Sequence, residues 1–87
     1  MSRSKEAAGR AAAEFVRDGM TVGLGTGSTV YFTLQRLGER VRADKLDIVG
    51  VPTSVDTEIK ARAFGIPLAT LSEVESIDLT IDGADEI

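Results

Sequence analysis

Cysteine and histidine are absent from this 87-residue chain, proline occurs twice, and aromatic residues make up only 5% of it. Without cysteine there is neither a disulfide nor a thiolate nucleophile, which fits a reducing, cytoplasmic setting. Without histidine, acid or base work near neutral pH falls to a carboxylate or a lysine with a shifted pKa. The aromatics Phe15, Tyr31, Phe32 and Phe64 are too few and too scattered for a stacking platform and read as packing residues. Positive charge is also sparse: ten Lys and Arg stand against fourteen Asp and Glu, for a net charge of -4. That balance, with no basic run, argues against nucleic acid, whose binding depends on neutralising phosphates along a positive face. No apolar run approaches the roughly 20 residues of a membrane span, and Met1-Ser2-Arg3-Ser4 opens no signal core.

What remains is 43% hydrophobic and 28% charged, enough for a single α/β domain over residues 1–87 with a modest core. Ala8, Ala11, Ala12, Phe15 and Val16 recur at helical spacing and predict a helix from about Ser4 to Arg17, closed by Asp18-Gly19. Met20 to Leu24 predicts a buried strand. Val30, Leu34, Leu37 and Val41 predict a helix from Ser28 or Thr29 to about Arg42, with either hydroxyl residue as N-cap. A second strand is expected over Leu46 to Val51, ended by Pro52. Thr53-Ser54-Val55-Asp56 has the spacing of a capping box, opening a third helix that turns Ile59, Ala63 and Phe64 inward and stops at Gly65. Ile66 to Ala69 is a weak edge strand, Ser72 to Ser76 a single helical turn, and Ile77 to Ile81 the last strand.

This alternation predicts a three-layer, Rossmann-like domain with a mostly parallel sheet of about four strands and helices on both faces. Right-handed crossovers give the strand order 3-2-1-4, in which the winding reverses between the first and last strands. Ligands of open parallel sheets bind at such a reversal, beyond the carboxyl ends of the strands. The expected neighbours there are two loops, Gly25-Thr26-Gly27-Ser28-Thr29 and Asp82-Gly83-Ala84-Asp85-Glu86.

The first loop has the makings of an anion cradle. Its glycines admit close backbone approach, its hydroxyls can donate, and the next helix points its positive end at the site. An ordinary strand-to-helix connection is the plainer alternative. There is no Gly-Lys-Ser/Thr element of a nucleotide-binding P-loop, and Ser28 stands where a dinucleotide fingerprint needs its third glycine, so no organic cofactor is expected. In the second loop, Asp82, Asp85 and Glu86 repel one another, which favours proton chemistry at one of them. A hard cation and a solvated acidic turn are its rivals. Thr53 and Ser54 are candidates for ligand contact or for helix capping, and Lys5 for a phosphate contact or a solvated terminus.

Gly23-Leu24-Gly25-Thr26-Gly27-Ser28-Thr29, Gly50-Val51-Pro52-Thr53-Ser54 and Asp82-Gly83-Ala84-Asp85-Glu86-Ile87 together resemble three successive motifs of the type A ribose-5-phosphate isomerases, in family order. The resemblance implies interconversion of ribose 5-phosphate and ribulose 5-phosphate through an enediolate, in the pentose phosphate pathway, with no metal or cofactor. It implies that Thr26, Ser28 and Thr29, with Lys5, contact the phosphorylated pentose, and that Asp82 and Asp85 bind the sugar, help open its ring and handle hydroxyl protons. It also implies a Lys-Gly-Gly-Gly loop and a glutamate base further on, which these 87 residues do not contain, so weak or absent turnover is expected of them. A sugar-phosphate sensor module and a fold fragment without ligand are the alternatives. The outer edge of the last strand, with no predicted neighbour, is the expected surface for self-association.

Overall fold

The computed structural model describes residues 2–82. Its elements are α1 (Ser2–Ala13), β1 (Met20–Leu24), α2 (Ser28–Ala43), β2 (Ile48–Pro52), α3 (Val55–Ala63), a 3-10 turn (Leu71–Glu73) and β3 (Leu79–Ile81). The three strands form one parallel sheet in the order β2-β1-β3, with Met20 beside Ile48, Leu24 beside Pro52 and Leu24 beside Ile81.

The expected four-strand sheet is thus a three-strand one. The weak strand over Ile66 to Ala69 shrinks to a single parallel bridge between Leu68 and Gly50, on the outer side of β2 where a third strand was expected. Pro67, lacking an amide hydrogen, still accepts a bond from the Gly50 N–H at 2.8 Å, and Ala69 donates to the Gly50 carbonyl at 2.9 Å. β3 is shorter than Ile77 to Ile81, because the Asp78 side chain turns to accept from the Thr21 N–H at 2.8 Å. Thr70 and Glu73 form a reciprocal capping box around the 3-10 turn, slightly ahead of the turn expected at Ser72 to Ser76.

Helical cover on both faces is also corrected. Val22, Leu24, Ile48 and Ile81 share one core cluster with Ala13 of α1, Val30, Leu34 and Leu37 of α2, and Ala61 of α3. Strand residues two apart share a face, so among the described residues all three helices lie on one side of the sheet. Successive right-handed crossovers in the same direction place α2 and α3 there, and α1 packs on α2. On the opposite side, the Ile77 side chain lies 3.4 Å from where a Cβ on Gly23 would stand.

Three helix details differ from expectation. First, α1 ends at Ala13 rather than Arg17, since Glu14, Phe15 and Val16 make tighter bonds three residues back and Arg40 donates to the Ala13 and Val16 carbonyls at 2.7 and 2.8 Å. Phe15 is consequently 70% exposed rather than inward. Second, α3 turns Thr57 and Ala61 inward, leaving Ile59 62% exposed and Ala63 exposed, while Phe64 packs at the core margin. Third, the N-cap of α2 is Gly27, not Ser28 or Thr29.

α1 crosses α2 where Gly9 has no side chain: a Cβ there would stand 2.4 Å from the Thr29 carbonyl oxygen. Thr33 Oγ1 donates to the Gly9 carbonyl at 2.8 Å across the same crossing. Further along, Glu14, Arg36, Glu39 and Arg10 form a chain of ion pairs at 2.7 to 3.1 Å. Gly9 meets Thr29 and Thr33 while Ala13 and Val16 meet Arg40, so the two helices run in the same direction.

Candidate functional site

The carboxyl ends of β1 and β3 meet at Gly25, and the exit of β2 bonds to Leu24 just before it. The Gly25 N–H donates to the Ile81 carbonyl at 2.8 Å, extending the β1–β3 ladder by one bond. A Cβ on Gly25 would stand 3.1 Å from Asp82 Cα and 3.2 Å from Asp82 Oδ1, so only a glycine lets the two loops meet this closely. The juxtaposition expected from a winding reversal between β1 and β3 is present for Asp82. Asp85 and Glu86 lie outside the described residues, so the expected carboxylate cluster is described only at Asp82.

Beyond Gly25 the chain surfaces. Thr26, Gly27 and Ser28 are exposed and Thr29 is half-buried. Gly27, the N-cap residue of α2, has φ 114° and ψ 168°, a conformation that in practice only glycine adopts, and has no side chain of its own to cap the helix. The start of α2 therefore presents its first-turn amides, and the positive end of its dipole, at the mouth formed by the strand ends. Lys5 stands on α1 one turn before Gly9 and on the same face, displaced from the Gly9–Thr29 crossing toward the start of α2; it is half-buried.

The β2 exit closes the other flank. Thr53 donates from its N–H and its Oγ1 to the Leu24 carbonyl, at 3.0 and 3.1 Å. Ser54 is the N-cap of α3 and accepts from the Thr57 N–H at 3.1 Å. The capping box read over Thr53 to Asp56 is thus replaced by a simple cap at Ser54, and Thr53 serves the sheet instead. One residue that sequence reasoning missed is Thr57. It is 3% exposed and its Oγ1 donates to the Gly25 carbonyl at 2.9 Å. The available signal was a β-branched polar residue one turn into a helix whose inward face is otherwise small and apolar.

Known proteins resemble the chain in sequence and in fold. The family "Ribose 5-phosphate isomerase A (phosphoriboisomerase A)" matches residues 49–87. The ribose-5-phosphate isomerase A of Bacillus mycoides (strain KBAB4) is 60% identical over 87 residues, covering 100% of this chain and 39% of that relative. Among solved structures, ribose 5-phosphate isomerase from Plasmodium falciparum superposes with a TM-score of 0.92 at 49% identity, over 100% of this chain and 38% of that one. A D-ribose-5-phosphate isomerase in complex with phospho-erythronic acid gives a TM-score of 0.91 at 44% identity, over 97% of this chain and 37% of that one. The chain spans less than two fifths of the length of these relatives. By sequence and by fold, the chain is similar to an N-terminal part of the ribose-5-phosphate isomerase A proteins.

Proposed function

We propose that this chain supplies the phosphate-binding and sugar-binding half of a ribose-5-phosphate isomerase site. The observation that carries the reading is the contact between Gly25 and Asp82, which joins an anion-binding loop to a carboxylate across the sheet reversal. A phosphate monoester would sit against the amides and hydroxyls of Gly25, Thr26, Gly27, Ser28 and Thr29, with Lys5 adding positive charge. Backbone N–H groups and a helix start suit a dianion better than they suit a neutral sugar.

Asp82 stands on the far side of that loop, where the sugar carbons of a bound pentose phosphate would lie. As a carboxylate it accepts hydrogen bonds from sugar hydroxyls, and with Asp85 it would assist ring opening and pass hydroxyl protons. Thr53 and Ser54 border the mouth, already engaged with Leu24 and Thr57. A relative of 44% identity was solved with phospho-erythronic acid, which supports a phosphorylated sugar as ligand.

The isomerisation itself moves a proton between adjacent carbons through an enediolate, and needs a base at the carbon and a cation at the developing oxyanion. Each such group commonly contributes a factor of about 100 or more in rate. The lysine loop and glutamate implied for these roles are not among the 87 residues. The 87-residue polypeptide is therefore expected to bind ribose 5-phosphate but to isomerise it slowly or not at all.

An amide-resolved NMR titration with ribose 5-phosphate, with ribose and inorganic phosphate as controls, tests this. Shifts at both the 25–29 loop and Asp82 with ribose 5-phosphate, and at the loop alone with phosphate, are expected. A well-dispersed spectrum that answers none of the three ligands would overturn the reading.

A further inference from the structure

The buried hydroxyl of Thr57 belongs to no expected ligand contact, yet it reaches Gly25, where the ends of β1 and β3 meet. We propose that Thr57 is a positioning residue for the anion loop, fixing the Gly25–Thr26 peptide so that the Thr26 N–H faces the mouth of the site. This rests on the phosphate-binding reading above and adds to it a residue that touches no ligand.

In a trans peptide the carbonyl and the following N–H point in opposite directions. Thr57 Oγ1 draws the Gly25 carbonyl into the protein at 2.9 Å, so the Thr26 N–H of the same plane turns outward. Gly25 is buried whereas Thr26 is exposed, which matches a peptide lying across that boundary. A plane next to glycine rotates with little steric resistance, and Gly27 two residues on is equally permissive, so the loop needs an external bond to hold one orientation.

Ser54 completes the device. It accepts from the Thr57 N–H and donates its own proton to Thr57 Oγ1 at 3.0 Å, which leaves the Thr57 proton for Gly25. The α3 cap is thereby linked to the phosphate loop through a single side chain.

The test compares Thr57→Val, which keeps the shape and removes the donor, with Thr57→Ser, which keeps the donor. Residual dipolar couplings of the Thr26 N–H report its orientation without ligand, and titration with ribose 5-phosphate reports affinity. In Thr57→Val the Thr26 coupling should change and affinity should fall about tenfold, the worth of one donor to a charged group. Thr57→Ser should restore both. Ala61→Gly, which weakens the same helix without touching Gly25, should leave the Thr26 coupling unchanged.

If Thr57→Val keeps the wild-type Thr26 orientation, the proposal is overturned. If that orientation changes but neither protein binds ribose 5-phosphate, Thr57 still positions the loop and it is the phosphate-binding reading that fails. Should Thr57→Val not fold, the wild type answers instead. A deuterium isotope shift at the Gly25 carbonyl carbon from the Thr57 hydroxyl is expected, and its absence rejects the bond.

Discussion

Gly25 and Gly27 are constrained for different reasons, and their substitutions should fail differently. Alanine at 25 drives a methyl toward the Ile81 carbonyl oxygen, 3.0 Å away, and toward Asp82. Overpacking of this kind costs about 1–3 kcal/mol, and here it also pushes apart the two loops. Alanine at 27 must adopt φ 114° and ψ 168°, again a cost of about 1–3 kcal/mol. Chemical denaturation should therefore show both variants destabilised, while NMR shifts at Asp82 should move strongly only for Gly25→Ala. Both glycines were visible in the sequence as part of an anion cradle. The contact with Asp82 followed from strand order, whereas Thr57 did not, because its role depends on a carbonyl 32 positions away that no local pattern encodes.

The three helices were legible as elements, but their faces were less so. α2 showed its buried stripe clearly, and Val30, Leu34 and Leu37 are all buried as the spacing predicts. α1 and α3 misled because a large exposed apolar residue, Phe15 just past the end of α1 and Ile59 within α3, outweighed the small inward residues. Ile59→Ser should accordingly change stability by no more than about 0.5 kcal/mol, whereas Leu34→Ala should cost about 2–5 kcal/mol, both read from urea midpoints. The α1–α2 pairing adds a dependence on pH. Hydrogen bonds from Arg36 hold the Glu14 and Glu39 carboxyls below their ordinary 4.5. Their folded pKa values lie beneath the unfolded ones, so this contribution is complete above 4.5 and fades as pH falls through the lowered values. In a pH series of urea midpoints, Arg36→Met should lower stability slightly above 4.5, as little as exposed pairs supply, and leave the most acidic points unchanged, which flattens the acid limb.

For the molecule as a whole, the one-sided helix layer and the short β3 decide what is left open. Among the described residues β3 pairs only with β1, and beside it Ala8, Ala11, Ala12 and Phe15 line a groove against Leu79 and Ile81. An unpaired strand edge next to an apolar groove favours pairing with another copy. Light scattering across a concentration series should show association that Phe15→Ser weakens, and monomer at every concentration would refute it. The parallel topology could be read from the alternation of elements. The placement of α2 and α3 on one face was also implicit in the expected strand order, since two right-handed crossovers in the same direction put both helices on one side.

The bond from the Gly25 N–H to the Ile81 carbonyl also makes the site a reporter on the outermost strand. A ligand held at Gly25 and Asp82 bridges the last rung between β1 and β3 from outside, so binding should slow amide exchange along β3 and raise the melting temperature. Fraying of that edge and occupancy of the mouth would then be two readings of one equilibrium.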